Sequence, residues 1–256
     1  MGAVAHGLTK LCRVLQEDAE LAEAIPAESR AQALRECVAE TIDVPAGSWR
    51  AADVVMPNGG VGLLVLRGLL SRRVGIDGRF GAELLGEGDL LRPWQEEDRP
   101  PTLPLTTVWR VLEPAQMAVL DERFARCVVH YPQLISCLVG RVMSRSRNLT
   151  VNMAIVQHAR VDVRLHMLLW HLAARWGRVR SDGVSLPLRL THNDLADLVA
   201  ARRQTVTSAL SELARQALVR SSEDGWLLSG RPPYELLELV ELPRALTTTA
   251  KPPATS

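Results

Sequence analysis

Residues 190–219 read LTHNDLADLVAARRQTVTSALSELARQALV, and the way this stretch folds decides the rest. Thr191 followed by Asp194 has the form of a capping box, in which each residue's side chain accepts from the other's backbone amide. Leu195, Leu198 and Val199 supply the inner side of a short helix. After a turn at Ala200-Ala201, a second helix is expected from about Arg202 to Gln216, with Val206, Leu210 and Leu213 inward. Arg203, Gln204, Thr207 and Ser208 then face outward over its first turns, beside Arg202 and Thr205. Arg can donate twice to guanine, and Gln can pair with adenine. Hydroxyls and the free amides of a helix start suit phosphates. A recognition helix meets base edges in the major groove with its N-terminal turns. Downstream, Leu218-Val219-Arg220 and Trp226-Leu227-Leu228 flank Glu223-Asp224-Gly225, the pattern of a two-stranded wing. Outward arginines are often only solvated surface, and helix pairs occur in folds that never meet DNA; the wing and the local charge favour DNA.

The charge argument is local. Formal net charge is +1, so the whole chain has no pull on nucleic acid. Residues 11–50 carry eight acids against four arginines, whereas residues 160–220 carry ten arginines against five acids, which predicts a basic face in the second half. Cys12, Cys37, Cys127 and Cys137 form no C-x-x-C pair and have no histidine cluster beside them. They read as buried small apolar residues, with neither a metal site nor a disulfide framework. No apolar run nears the roughly 18 residues of a membrane span, and no signal-like segment opens the chain. A cytoplasmic protein without membrane contact and without a cofactor is expected.

Working upstream, residues 161–176 form a helix with Leu165, Leu168, Leu169, Leu172 and Trp176 on one side. A longer helix of about 25 residues is expected to restart at Tyr131-Pro132, since proline suits a first helical position. Ile135, Leu138, Val142, Arg145, Leu149, Asn152 and Val156 follow a 3,4 spacing along it, beside a second row of Val139, Met143 and Met153. This row is a candidate homodimer seam in which Arg145 and Asn152 fix register; packing on the chain's own β domain is the other reading, and both can hold. From about 41 to 120, short apolar runs such as VGLLVLRGLLSRRVGI are cut by glycine pairs and by Asp77-Gly78, a hairpin signal. A barrel or double-sheet roll follows, with a proline-rich loop over Arg92 to Pro104. Residues 8–40 carry Leu11, Val14, Leu15, Leu21, Ile25, Leu34 and Val38 at helical spacing, with Pro26 parting two short helices. The tail after Pro243 has a disordered composition.

This order of β roll, long helix and winged helix-turn-helix resembles the Crp/Fnr family of bacterial transcription regulators over roughly residues 40–230. The likeness is strongest in VDVRLHMLLWHLA, similar to the helix leading into that family's DNA-binding domain, and in the opening stretch. The family pattern there is approximately L-T-x-x-[ED]-[LI]-A-x-[LI]-[VL]-G-x-[ST]-R-[EQ]-T-V-[ST]-R-x-L. Leu190, Thr191, Asp194, Leu195, Ala196, Leu198, Val199, Arg203, Gln204, Thr205, Val206, Thr207 and Leu210 match it. Ala200 stands where the family has Gly, Arg202 where it has a capping Ser or Thr, and Ser208 where several members have a base-reading Arg. The resemblance implies an α+β chain: a cyclic-nucleotide-binding-like region at 1–120, a dimerisation helix region at 121–158, a winged helix-turn-helix at 159–235 and a tail at 243–256. It implies a dimeric regulator bound to double-stranded DNA, with RNA polymerase a further expected partner. Arg203 and Gln204 become the base readers, with Arg202, Thr205, Thr207, Ser208 and Thr191 beside them.

The sensor end departs from the family. Leu84 to Leu91 resembles the strand and turn before the family's phosphate cassette, but neither G-E-[LA] nor R-[ST]-A follows. Prolines remove the amides that a phosphate nest needs, so control by cAMP is not expected. Should an anionic or nucleotide-like effector exist, Arg72, Arg73, Arg79, Arg92, Trp94 and Arg99 are its candidate contacts. Glu83 and Glu87 flank a turn and read as solvated. His130, His158, His166 and His171 are scattered and read as packing or surface residues. There is no P-loop, nucleophile elbow, H-E-x-x-H or G-x-G-x-x-G after a strand, so the chain reads as no enzyme. A sensor acting through protein contacts, with a vestigial helix pair, is the alternative.

Overall fold

The computed structural model describes residues 10–51, 54, 60–96 and 104–233. The chain divides into two compact units, Met1–Gly78 with Ala82–Arg147, and Arg79–Gly81 with Asn148–Ser256.

The first unit is built on an antiparallel sheet. Its strands are β1 (Lys10–Arg13), β2 (Val38–Val44), β3 (Gly47–Trp49), β4 (Gly62–Ile76), β5 (Arg79–Leu85), β6 (Leu90–Leu91) and β7 (Thr106–Leu120). The order is β1-β2-β7-β4-β5, with β3 on β7 and β6 on β4. The 15-residue strands β4 and β7 pair along their length, but register shifts fall between Val65 and Leu70. Gly68 sits there at φ +97, and a Cβ on it would meet the Pro114 carbonyl at 2.5 Å. Such a bulge bends a strand and sharpens its twist, which lets the sheet roll. The continuous apolar run in β4 follows from burial on both faces. Leu63 and Val65 join Ile42, Trp49, Val111 and Met117 in one core, whereas Leu64 and Leu66 join a second core under the helices. Asp77 and Gly78, both at positive φ, make the hairpin turn that the sequence signals.

The N-terminal reading needs correction. Leu11 lies in β1 and is exposed, and Val38 opens β2. The two strands pair antiparallel and enclose α1 (Val14–Glu17), α2 (Ala19–Glu23) and α3 (Ala27–Glu36). Pro26 caps α3 as a break between helices. All four cysteines belong to or pack against the helical core, and burial pushes the Cys37 thiol up. The Cys37 and Cys127 Sγ atoms lie 3.6 Å apart, a contact hidden by a sequence separation of 90. The loop after β6 holds a 3-10 turn, Pro93–Glu96; residues 97–103 and the tail 243–256 lie outside the described residues.

Helices α4 (Glu122–Val128) and α5 (Pro132–Val156) follow β7. Leu134 and Leu138 are buried in the helical core of the first unit. One turn on, Arg141 donates to Asp18, Glu20 and the Gly88 carbonyl. Arg145 grips Glu83 through two nitrogens, at 2.6 and 3.1 Å, and reaches the Leu90 carbonyl. Leu138 and Arg145 therefore do not belong to an open seam. A strict 3.5-residue row drifts across the 3.6-residue helix, and the proposed row straddles two faces. The face left exposed carries Ile135, Val139, Val142, Met143 and Met153. Leu149, Asn152 and Val156 are half-buried, and Asn152 Oδ1 has no hydrogen-bond partner among the described residues.

The second unit contains α6 (Val161–Trp176), β8 (Arg178–Arg180), β9 (Gly183–Leu186), α7 (His192–Leu198), α8 (Arg203–Arg215), β10 (Val219–Ser222) and β11 (Gly225–Leu228). Its sheet runs β10-β11-β9-β8. Helix α6 is the spine, with Leu165 and every residue from Met167 to Ala173 buried. No helix of the described residues is long and apolar enough to cross a membrane.

Candidate nucleic-acid interface

Helix α7 begins as its sequence requires. Thr191 and Asp194 form the capping box: the Thr191 amide donates to Asp194 at 2.8 Å, and the Asp194 amide donates to the Thr191 hydroxyl at 3.2 Å. The hydroxyl also donates to Asp194 at 2.6 Å. Thr191, expected among the DNA contacts, is exposed and holds the cap.

The end of α7 makes the turn. The Ala201 amide donates to the Ala196 carbonyl at 2.9 Å and the Ala200 amide to the Asp197 carbonyl at 3.4 Å. This is the Schellman pattern, which needs a left-handed residue just past the C-cap and favours Gly there. Ala200 fills the place at φ +50, at a cost of about 1–2 kcal/mol for a residue with a Cβ. The Gly that the family resemblance puts at this position thus has a physical reason. The same device closes α8, with Ala217 at φ +55 and the Leu218 amide on the Leu213 carbonyl at 3.0 Å.

Helix α8 is held on one side and open on the other. Val206, Ala209, Leu210 and Leu213 are buried. Arg202, Arg203, Gln204, Thr205, Thr207 and Ser208 are exposed. Arg202 is the N-cap residue and makes no side-chain cap, so the first-turn amides remain open. Among the described residues, the side chains of Arg202, Arg203, Gln204 and Thr205 have no hydrogen-bond or ion-pair partner. The two hydroxyls further along differ. Thr207 donates to the Arg203 carbonyl at 3.1 Å and Ser208 to the Gln204 carbonyl at 3.3 Å. Each must rotate before it can donate to a phosphate. At the far end, Glu212 is held down to about 2, first by Arg215 and then by Gln216.

His192 is a residue that sequence reasoning missed. Its Nδ1 lies 2.8 Å from the Thr207 hydroxyl. Either group can donate in this contact, depending on the imidazole tautomer. His192 thereby braces the outer face of α8 from the first turn of α7. Its position directly after the N-cap Thr191 was the only sequence signal.

Each described effector candidate has its own surroundings. Arg72 forms a 2.6 Å ion pair with Glu83 and lies over Trp109. Arg73, its neighbour on an extended strand, points to the opposite face. Arg79 is exposed at the hairpin end, Arg92 donates to the Gly60 carbonyl, and Trp94 packs against the inner core. Arg99 lies outside the described residues. Glu83, read as solvated, is 5% exposed and takes both Arg72 and Arg145, because the hairpin and α5 close over it.

Comparison with known proteins agrees with this geometry. Residues 163–229 match the model of the Crp-like helix-turn-helix domain. No curated protein matches the chain. Among solved structures, a cyclic nucleotide-binding domain containing protein from Listeria monocytogenes superposes with TM-score 0.59 at 11% identity, covering 82% of this chain and 96% of that one. A CooA mutant from Carboxydothermus hydrogenoformans gives 0.56 at 16% identity, with 90% and 94% covered. The c-di-GMP responsive global regulator CLP of Xanthomonas campestris gives 0.53 at 16%, with 80% and 100% covered. At these identities the likeness speaks to fold. The domain match bears out the Crp-like helix-turn-helix of the resemblance, and these structures bear out its fold.

Proposed function

We propose that this chain, which carries a Crp-like helix-turn-helix domain within a Crp/Fnr-type fold, is a sequence-specific DNA-binding transcription regulator that works as a homodimer. The front turn of α8 carries the reading. Two guanidiniums, one amide and one hydroxyl stand exposed there without partners among the described residues, while the other side of the helix is buried. Arg203 and Gln204 are the base readers; Arg202 and Thr205 address the backbone; Thr207 and Ser208 join after rotation. The exposed apolar face of α5 supports self-association, with Ile135, Val139, Val142, Met143 and Met153 as its contacts. Two copies then read half-sites roughly 34–36 Å apart. With the phosphate cassette missing and Arg72 paired to Glu83, cAMP is not its effector.

Selection of bound sequences from a random duplex pool tests this. The expected product is a two-fold symmetric site whose half-sites lie one helical turn apart. Recovery of an unstructured pool would contradict the reading and favour the alternative, a sensor working through protein contacts.

A further inference from the structure

We propose that Arg164 is a positioning residue for DNA recognition, tying the segment that leads into the helix-turn-helix to the turn that aims α8. The inference rests on α8 being the reading helix. Arg164 lies on the first turns of α6 and is half-buried. Its Nε–H donates to the carbonyl of His158, in the link between α5 and α6. One terminal nitrogen donates to the carbonyls of Val199 at 3.1 Å and Ala200 at 3.4 Å.

Those acceptors are the ones that the turn leaves over. The Schellman bonds occupy the carbonyls of Ala196 and Asp197, and the C-cap Val199 and left-handed Ala200 carbonyls need donors from elsewhere. A planar guanidinium with several N–H groups can serve three carbonyls in two segments; a single ammonium on a flexible stem serves that geometry poorly. Its positive charge also suits the C-terminal end of α7. Ala200 is strained at φ +50, so the turn lacks the ease that Gly would give and leans on external support. Without Arg164 the turn relaxes, and the front of α8 shifts against its buried side. Base contacts tolerate little displacement, whereas loose electrostatic association with any duplex does not depend on it.

The experiment uses the full chain with two duplexes, one selected from a random pool by the wild type and one scrambled, over a range of salt. Arg164→Gln is expected to weaken binding to the selected duplex roughly tenfold, the scale of a charge-assisted hydrogen bond. Its binding to the scrambled duplex and its salt slope should stay as in the wild type. Ala200→Gly alone should leave binding unchanged; placed on Arg164→Gln, it should recover much of the lost preference by relieving the turn. A merely structural role would lower both affinities together with the folded fraction, which circular dichroism reports. Should Arg164→Gln not fold, Arg164→Lys decides, with an intermediate loss of preference expected. Wild-type preference in Arg164→Gln or Arg164→Lys, or an equal loss on both duplexes without rescue, overturns the proposal alone. A wild type that prefers no duplex removes the reading of α8 and this proposal with it.

Discussion

Two groups of arginines sit in this chain under opposite conditions. In the first unit, Arg72 and Arg145 converge on the buried carboxylate of Glu83, and Arg141 on Asp18 and Glu20. On α8, Arg202 and Arg203 stand exposed without a carboxylate among the described residues. Composition counts these residues alike; surroundings separate them. A guanidinium closed onto an internal carboxylate holds elements together, and one left open is available to an outside anion. Arginine number alone therefore does not separate internal pairing in the β roll from open surface on α8.

The strongest way to break the paired side is Glu83→Gln. Removing this carboxylate takes a shared partner from two half-buried guanidiniums, and chemical denaturation should register a loss of about 3 kcal/mol. Replacing Arg72, Glu83 and Arg145 together with apolar residues should recover most of it. An unchanged midpoint for Glu83→Gln would show the cluster to be solvated.

A second prediction sharpens the contrast inside the DNA-binding unit, where His171 is buried and its Nδ1 has no partner among the described residues. Burial pushes its pKa down from 6.5 to about 4. The unfolded chain takes up a proton near 6.5 and the folded chain only near 4. Stability is therefore intact above about 6.5 and falls as pH drops toward 4, by at most about 3 kcal/mol. His171→Leu should flatten that slope in melts recorded across the window. An identical slope in the variant would place the loss elsewhere.

The smallest effect concerns Arg202. As a phosphate contact, its replacement by Ala should weaken binding to all duplexes evenly and lower the salt slope by about one. A sequence-dependent loss would instead make Arg202 a base reader.

Much of this fold could be read from local pattern. The helix pair, its capping box, the wing and the 161–176 helix follow from rules that act over a few residues, and the residues obey them. What escaped is set by contacts distant in sequence. Glu83 looked solvated because its partner Arg145 lies 62 positions away. Cys37 and Cys127 looked unrelated for the same reason. Which side of α5 stays open was not legible, because apolar residues line two of its sides and periodicity alone cannot tell which one the chain's own core takes. Leu11 was misplaced because three or four residues of strand carry no period to read. At the interface the outward set on α8 was legible, since burial of Val206, Leu210 and Leu213 fixes the opposite side. The contacts of His192 and Arg164 were not, because each meets a backbone or hydroxyl partner that only folding brings near.

The central claim is that the front turn of α8 reads bases, and titration of Arg203→Ala against a selected duplex and its single-base variants tests it most directly. The account predicts a loss of about 1–3 kcal/mol on the selected duplex and relaxed discrimination at one base pair of each half-site. Binding and discrimination equal to the wild type at every position would contradict it.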